Sequence, residues 1–206
     1  MKLLKIALLL TITLLLNSCA SGYKMINPDK LNYNSKSEIQ GVRLEYKYNI
    51  LEKKYAKYES KKGIRLVALK IQNNSEKDLI FDEDLFLVDS RGNHISIYES
   101  TRTISLLKQK PASYLWYLLL TPINFYTYDT NSYGGQETTS STPIGLILGP
   151  GLAAGNFITA SSANKKLESE ILKYDIIGRV IKKGETVHGL IGIISDNYES
   201  LNIKMK

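Results

Sequence analysis

Residues 64–97 read IRLVALKIQNNSEKDLIFDEDLFLVDSRGNHISI, and the strand and turn pattern of this run decides the fold class. From Ile64 to Gln72 apolar side chains occupy both parities, as in a central strand of a sandwich, and Asn73-Asn74-Ser75 ends the strand with turn-forming side chains. Residues 79–81, 85–88 and 95–98 are three shorter strand candidates. The last two are joined by Asp89-Ser90-Arg91-Gly92-Asn93, where Gly92 supplies the positive φ of a hairpin. Upstream, Val42, Leu44, Tyr46, Tyr48 and Ile50 alternate with Arg43, Glu45, Lys47 and Asn49, the period-two signature of a half-buried strand. Downstream, Lys182-Lys183-Gly184-Glu185 turns into residues 186–194, and Leu201, Ile203 and Met205 alternate with Asn202 and Lys204. Short strands punctuated by turns at this density predict a mainly β fold, a two-sheet sandwich over residues 41–206.

The whole chain has 206 residues, 43% hydrophobic and 23% charged, which excludes disorder and collagen and suits one domain or two. A single Cys leaves no intramolecular disulfide framework and no multi-cysteine metal cluster within one chain. Residues 20–40 are polar, rich in Asn and Ser and without a period, so they are expected to form a tether with little fixed structure.

Residues 111–164 depart from the strand pattern. Their only charges are Asp129 and Glu137, with no Lys or Arg. Residues 113–128 (SYLWYLLLTPINFYTY) are apolar and aromatic, residues 129–142 are polar, and residues 143–160 (PIGLILGPGLAAGNFITA) are apolar and Gly-rich. Beyond them Ala163, Leu167, Ile171 and Tyr174 recur at helical spacing. The stretch is expected to be an inserted, partly helical hydrophobic hairpin. Gly145-x-x-x-Gly149 and Gly151-x-x-x-Gly155 have the spacing that lets helix backbones pack closely, and Pro150 between them argues against one continuous helix of spanning length. Tyr114, Trp116, Tyr117, Phe125, Tyr126, Leu146 and Leu148 are the candidate contacts to a membrane or an apolar partner. The alternative is a hairpin folded over one sheet of its own sandwich, because large exposed apolar patches are rare on monomers.

The chain opens with Lys2 and Lys5, followed by an apolar run from Ile6 to Leu16, too short for a permanent span and suited to a cleaved leader over residues 1–18. Losing Lys2 and Lys5 with it lowers the formal charge from +7 to +5. Leu16-Asn17-Ser18-Cys19, followed by Ala20 and Ser21, resembles the lipobox of bacterial lipoproteins. That resemblance implies cleavage before Cys19, diacylglycerol on its thiol and acylation of the new amino group. Residues 19–40 would then be the lipidated N-terminus and tether. Ser21 in place of Asp, with no acidic run behind it, implies by the same resemblance the outer membrane of a Gram-negative cell, facing the periplasm. Residues 66–97 and 181–193 (IKKGETVHGLIGI) also resemble strands of immunoglobulin-like modules in bacterial envelope proteins, which implies an immunoglobulin-like sandwich and no particular activity.

Patterns that could carry chemistry are sparse. Ser162-Ala163-Asn164-Lys165 and Ser195-Asp196-Asn197 match two motifs of penicillin-binding enzymes, yet no K-T-G follows and the chain lacks room for their helical domain. The glycines of 145–155 lack G-x-G-x-x-G spacing and the preceding strand of a dinucleotide loop. His94 and His188 are the only histidines and make neither a metal site nor a triad. Residues 41–77 hold ten Lys or Arg against four Glu, interleaved with Tyr46, Tyr48, Tyr55 and Tyr58. They read as a solvated strand face and Lys-rich turn, or as a surface for anionic lipid or acidic glycan; nucleic acid does not fit the expected compartment. No catalytic, cofactor or metal residue is assigned, and oligomeric state is left open. The expected function is non-enzymatic: a lipid-anchored binding or assembly module whose partners are the membrane, an envelope protein or anionic lipid. The alternative is a surface-exposed lipoprotein that binds a glycan or host ligand.

Overall fold

The computed structural model describes residues 19–130, 133–195 and 197–206; the expected leader lies outside them, as does Asp196. In chain order the elements are β1 (Ser35–Ile39), β2 (Val42–Lys47), α1 (Lys53–Lys62), β3 (Ile64–Asn73), β4 (Leu79–Ile80), β5 (Leu85–Val88), β6 (Ile97–Tyr98) and α2 (Ser100–Leu107). They continue with a 3-10 segment (Pro111–Leu120), β7 (Phe125–Thr130), β8 (Gln136–Thr142), α3 (Gly145–Lys173), β9 (Val180–Ile181), β10 (Thr186–Ile194) and β11 (Asn202–Met205). The chain divides into two compact units. One is Met1–Gly22 with Gln109–Ser162, and the other is Tyr23–Lys108 with Ala163–Lys206. Below, these are the apolar unit and the strand-rich unit.

The strand-rich unit is built on a five-stranded antiparallel sheet of order β1-β2-β3-β10-β6. Its long central pair, β3 and β10, runs in register from Ile64 opposite Ile194 to Gln72 opposite Thr186. On one face Val67, Leu69 and Ile71 join Val42, Leu44, Val187 and Ile191 in a core closed by the antiparallel ribbons β5–β11 and β4–β9 through Leu85, Leu87, Ile203, Leu79 and Ile181. On the other face Ile64, Leu66, Ala68 and Leu190 pack with Tyr55 of α1, Ile104 and Leu107 of α2, and Ala163, Leu167 and Ile171 of α3. The two apolar parities of residues 64–72 thus have a definite cause: one parity faces ribbons and the other faces helices.

Helix is as abundant as strand, so the mainly β expectation holds in a coarser form: antiparallel sheets together with one long helix. Three local expectations are corrected. The Lys-rich stretch is helix α1, not strand face and turn. Tyr55 and Glu59, one turn apart, face inward while the lysines point to solvent, and Gly63 ends the helix at φ 60° with its N–H donating to the Glu59 carbonyl.

Residues 20–40 are not a loose tether. Tyr23 and Ile26 are buried, and the buried Glu170 carboxylate accepts from Tyr23 Oη at 2.6 Å and from the N–H groups of Ile26 and Asn27 at 2.9 and 2.8 Å. Residues 35–39 then pair with β2 across Gln40-Gly41, both at positive φ, as a two-residue hairpin turn requires.

Finally, α3 is continuous through Pro150. At this sixth position proline lacks the N–H that would have bonded the Leu146 carbonyl, and the helix runs on past the missing bond.

Candidate membrane-contact site

In a 3-10 helix side chains three residues apart eclipse one another, and the segment Pro111–Leu120 uses this directly. Tyr114, Tyr117 and Leu120 form an inward stripe, with both tyrosines buried. The residues between them point away: Leu115 and Leu118 are exposed, and Trp116 and Leu119 are 72% and 68% exposed.

The first five turns of α3 repeat the arrangement with opposite sizes. The inward positions are Gly145, Gly149, Ala153, Asn156 and Ala160, at spacings of three and four, so the buried stripe is made of small residues and one amide. A Cβ on Gly145 would lie 2.2 Å from the Leu120 carbonyl oxygen, and one on Gly149 would lie 2.7 Å from Thr121 Oγ1. The first glycine pair therefore seats the helix against the turn that ends the 3-10 segment, where Gly145 N–H donates to the Ile123 carbonyl at 2.8 Å. Gly151 and Gly155 have nothing within 4 Å. The large side chains Leu146, Ile147, Leu148, Leu152, Phe157 and Ile158 are all exposed, Ile147 at 78%. A helix in water buries its large apolar residues and exposes its small and polar ones; this one does the reverse, which is the distribution of helices that pack in lipid.

The backbone that follows Cys19 is bound into the same unit. Ala20 N–H donates to Asn156 Oδ1 at 2.6 Å, and Ser21 N–H donates to Gln109 Oε1 at 3.0 Å while Gln109 Nε2 donates to the Ser21 carbonyl at 2.6 Å. Gln109, 2% exposed, also accepts from Tyr114 Oη at 3.1 Å. Ala20 packs against the cluster of Tyr114, Tyr117, Ala153 and Ala160. Cys19 itself is exposed. Burial and then the neighbouring Cys19 thiol raise the Tyr114 phenol above its ordinary range.

Of the expected contact residues, Trp116, Phe125, Tyr126, Leu146 and Leu148 are exposed, whereas Tyr114 and Tyr117 form the internal stripe. Those two are corrected from contact residues to packing residues, since the 3-10 period of three turns them toward Ala153 and Ala160. Phe125 and Tyr126 belong to β7, which among the described residues pairs with β8 alone and is exposed along its whole length. Sequence reasoning missed Gln109 and Asn156. The available signal was that each is an amide flanking or interrupting an apolar run, where an unpaired polar group would be expensive.

The remaining motifs assemble no chemistry. Asn164 accepts from Tyr55 Oη at 3.2 Å inside the helix-side core. Ser195 Oγ donates to the Asn197 carbonyl and accepts its N–H, a local turn. His94 lies edge-on to Phe86 and His188 beside Tyr33. Among the described residues no group of three His, Cys, Asp or Glu could hold a metal ion. No family model, no curated protein and no solved structure matches this chain.

Proposed function

We propose that this chain is a lipid-anchored bacterial envelope protein, acylated at Cys19, whose apolar unit sinks into the leaflet that holds the acyl chains. The strand-rich unit, which we read as an immunoglobulin-like sandwich elaborated by helices, works at the membrane face as a non-enzymatic binding or assembly module. The compartment is the outer membrane of a Gram-negative cell, periplasmic side.

One observation carries this reading: the apolar unit turns Leu, Ile, Phe and Trp side chains outward around a core of two tyrosines and small residues, and the backbone after Cys19 is hydrogen-bonded to that unit. Acyl chains at Cys19 and the exposed Leu, Ile, Phe and Trp side chains would enter the same hydrocarbon. Each buried methylene contributes about 0.8 kcal/mol, and one chain alone binds marginally, so an apolar unit beside two or three chains makes attachment permanent. Insertion is one leaflet deep. Although α3 is long and apolar enough to cross a bilayer, Leu167 and Ile171 belong to the core of the strand-rich unit. From Asn156, where Ala20 is bound, back to Gly145 the helix runs roughly 16 Å, about half of the ~30 Å hydrocarbon core. The opposing sheet and ribbons with a shared apolar core support the immunoglobulin-like reading.

The test removes the two contributions in turn. Cys19→Ser protein should shift from permanent attachment to reversible partition into vesicles, and adding Leu119→Glu and Ile147→Glu should lower that partition by about tenfold or more, roughly 1.4 kcal/mol. Both replaced side chains are exposed, so the fold should be retained. Partition unchanged by the two glutamates would reject the apolar unit as the membrane contact, and capture of an envelope protein by that surface would identify a protein partner in its place.

A further inference from the structure

The strand-rich unit carries a cleft of about 590 Å3 lined by Asn34 and Ser35, residues 46–49 and residues 198–200. Its size is within the range of roughly 300–1,000 Å3 typical of small-ligand sites. Three tyrosines form one wall. Tyr46 and Tyr48 meet edge to face at 5.8 Å, and Tyr48 and Tyr198 meet the same way at 5.5 Å. Tyr48 Oη donates to the Glu199 carbonyl at 2.9 Å, and Tyr46 Oη lies 3.4 Å from Ser200 Oγ. Two of the hydroxyls are therefore committed to the Glu199 carbonyl and the Ser200 side chain, and what these rings offer the cleft is carbon surface. Tyr198 is 54% exposed, so part of its surface stays open although the Arg65 guanidinium lies 4.8 Å from its centroid and the Tyr48 ring packs against it. The polar part of the lining is of mixed and balanced type: the amides of Asn34 and Asn49, the hydroxyls of Ser35 and Ser200, and Lys47 offset by Glu199. Asn49 holds φ 54°, a left-handed state that asparagine adopts more readily than most residues.

We propose that this cleft binds a neutral oligosaccharide. A pyranose ring presents a flat C–H face to an aromatic surface and hydroxyls around its edge to amides and hydroxyls, and the cleft supplies both. Among the lining residues Lys47 is matched by Glu199, and Arg65 is buried behind Tyr198 rather than on the cleft surface, so the lining itself offers no excess of cations for an anion; a lipid would require a lining without amides. Rigid tyrosine rings present such a surface at little entropic cost. The inference is independent of the bilayer reading, because every lining residue belongs to the strand-rich unit.

Full-length protein in lipid nanodiscs, titrated with tetra-N-acetylchitotetraose and with maltotetraose, should show saturation transfer to at least one of them, with a calorimetric Kd of about 0.1 mM, near −5.5 kcal/mol. Tyr198→Ala should weaken that binding by about tenfold or more, while Tyr198→Phe, which keeps the ring, should bind like the unaltered protein. An unchanged far-UV spectrum for Tyr198→Ala makes the loss local. Absence of binding to both sugars, or equal binding by Tyr198→Ala, overturns the proposal.

Discussion

Glu59 shows how one buried carboxyl sets a pH dependence. It sits at the end of α1, 3% exposed, and accepts from Leu66 N–H at 2.7 Å. Burial pushes its carboxyl from 4.5 up to about 7, against the opposing pull of the Leu66 N–H and the Arg65 charge. Folding thus favours the protonated form. The stabilisation is complete below pH 4.5, falls as pH rises through about 7 and is absent above; the shift corresponds to about 3 kcal/mol. Glu59→Gln keeps an oxygen for Leu66 and removes the charge. Its unfolding midpoint should exceed that of the unaltered protein at pH 8 and match it at pH 4.5, and parallel curves across that window would contradict the assignment. Gly192 of β10 poses a steric test. A Cβ there would lie 2.2 Å from Oγ1 of the buried Thr103 on α2, so Gly192→Ala should destabilise by about 1–3 kcal/mol in chemical denaturation. The double variant with Thr103→Ala should recover much of that loss, which simple strand propensity would not allow.

Among the elements, α3 separates two glycine pairs that look alike in sequence. Gly145→Ala drives a methyl into the backbone of Leu120 and Thr121 and should loosen the apolar unit, seen as faster amide exchange over residues 112–121. Gly155→Ala meets open space in a helix and should stabilise by roughly 0.5–1 kcal/mol. Equal effects at the two positions would refute the packing described for the first pair. This contrast also marks what the sequence could reveal. The strands were legible because a period of two, or a two-sided apolar run such as residues 64–72, reports burial directly. The helices on the second sheet face were harder to read: α1 fully buries only Tyr55 and Glu59, with Ala56 and Tyr58 half-buried beside them, amid five lysines, and a lysine-rich run resembles a solvated turn. Pro150 signals a break through its missing N–H, yet the helix runs on past it, which the local pattern alone does not reveal. Within the site, Trp116, Leu146 and Leu148 could be read from composition as contacts. The inward turn of Tyr114 and Tyr117 could not, because it follows from a ten-residue 3-10 segment, longer than such helices usually run.

At the scale of the whole molecule, the proposed acyl anchor at Cys19 and a unit that is apolar on its outside would enter one leaflet. Trp116 is the only tryptophan of the chain and is 72% exposed on that unit, so its emission reports the position of the unit without any label. In a soluble protein such a side chain would emit from water; at a bilayer it would settle near the headgroup boundary or just below it. The decisive measurement is the fluorescence of the protein carrying the proposed Cys19 acylation, in vesicles whose acyl chains carry bromine near the headgroup. Blue-shifted Trp116 emission, quenched by the brominated chains and shielded from iodide, is the predicted result; red-shifted emission, quenched by iodide and indifferent to bromine, would contradict the account.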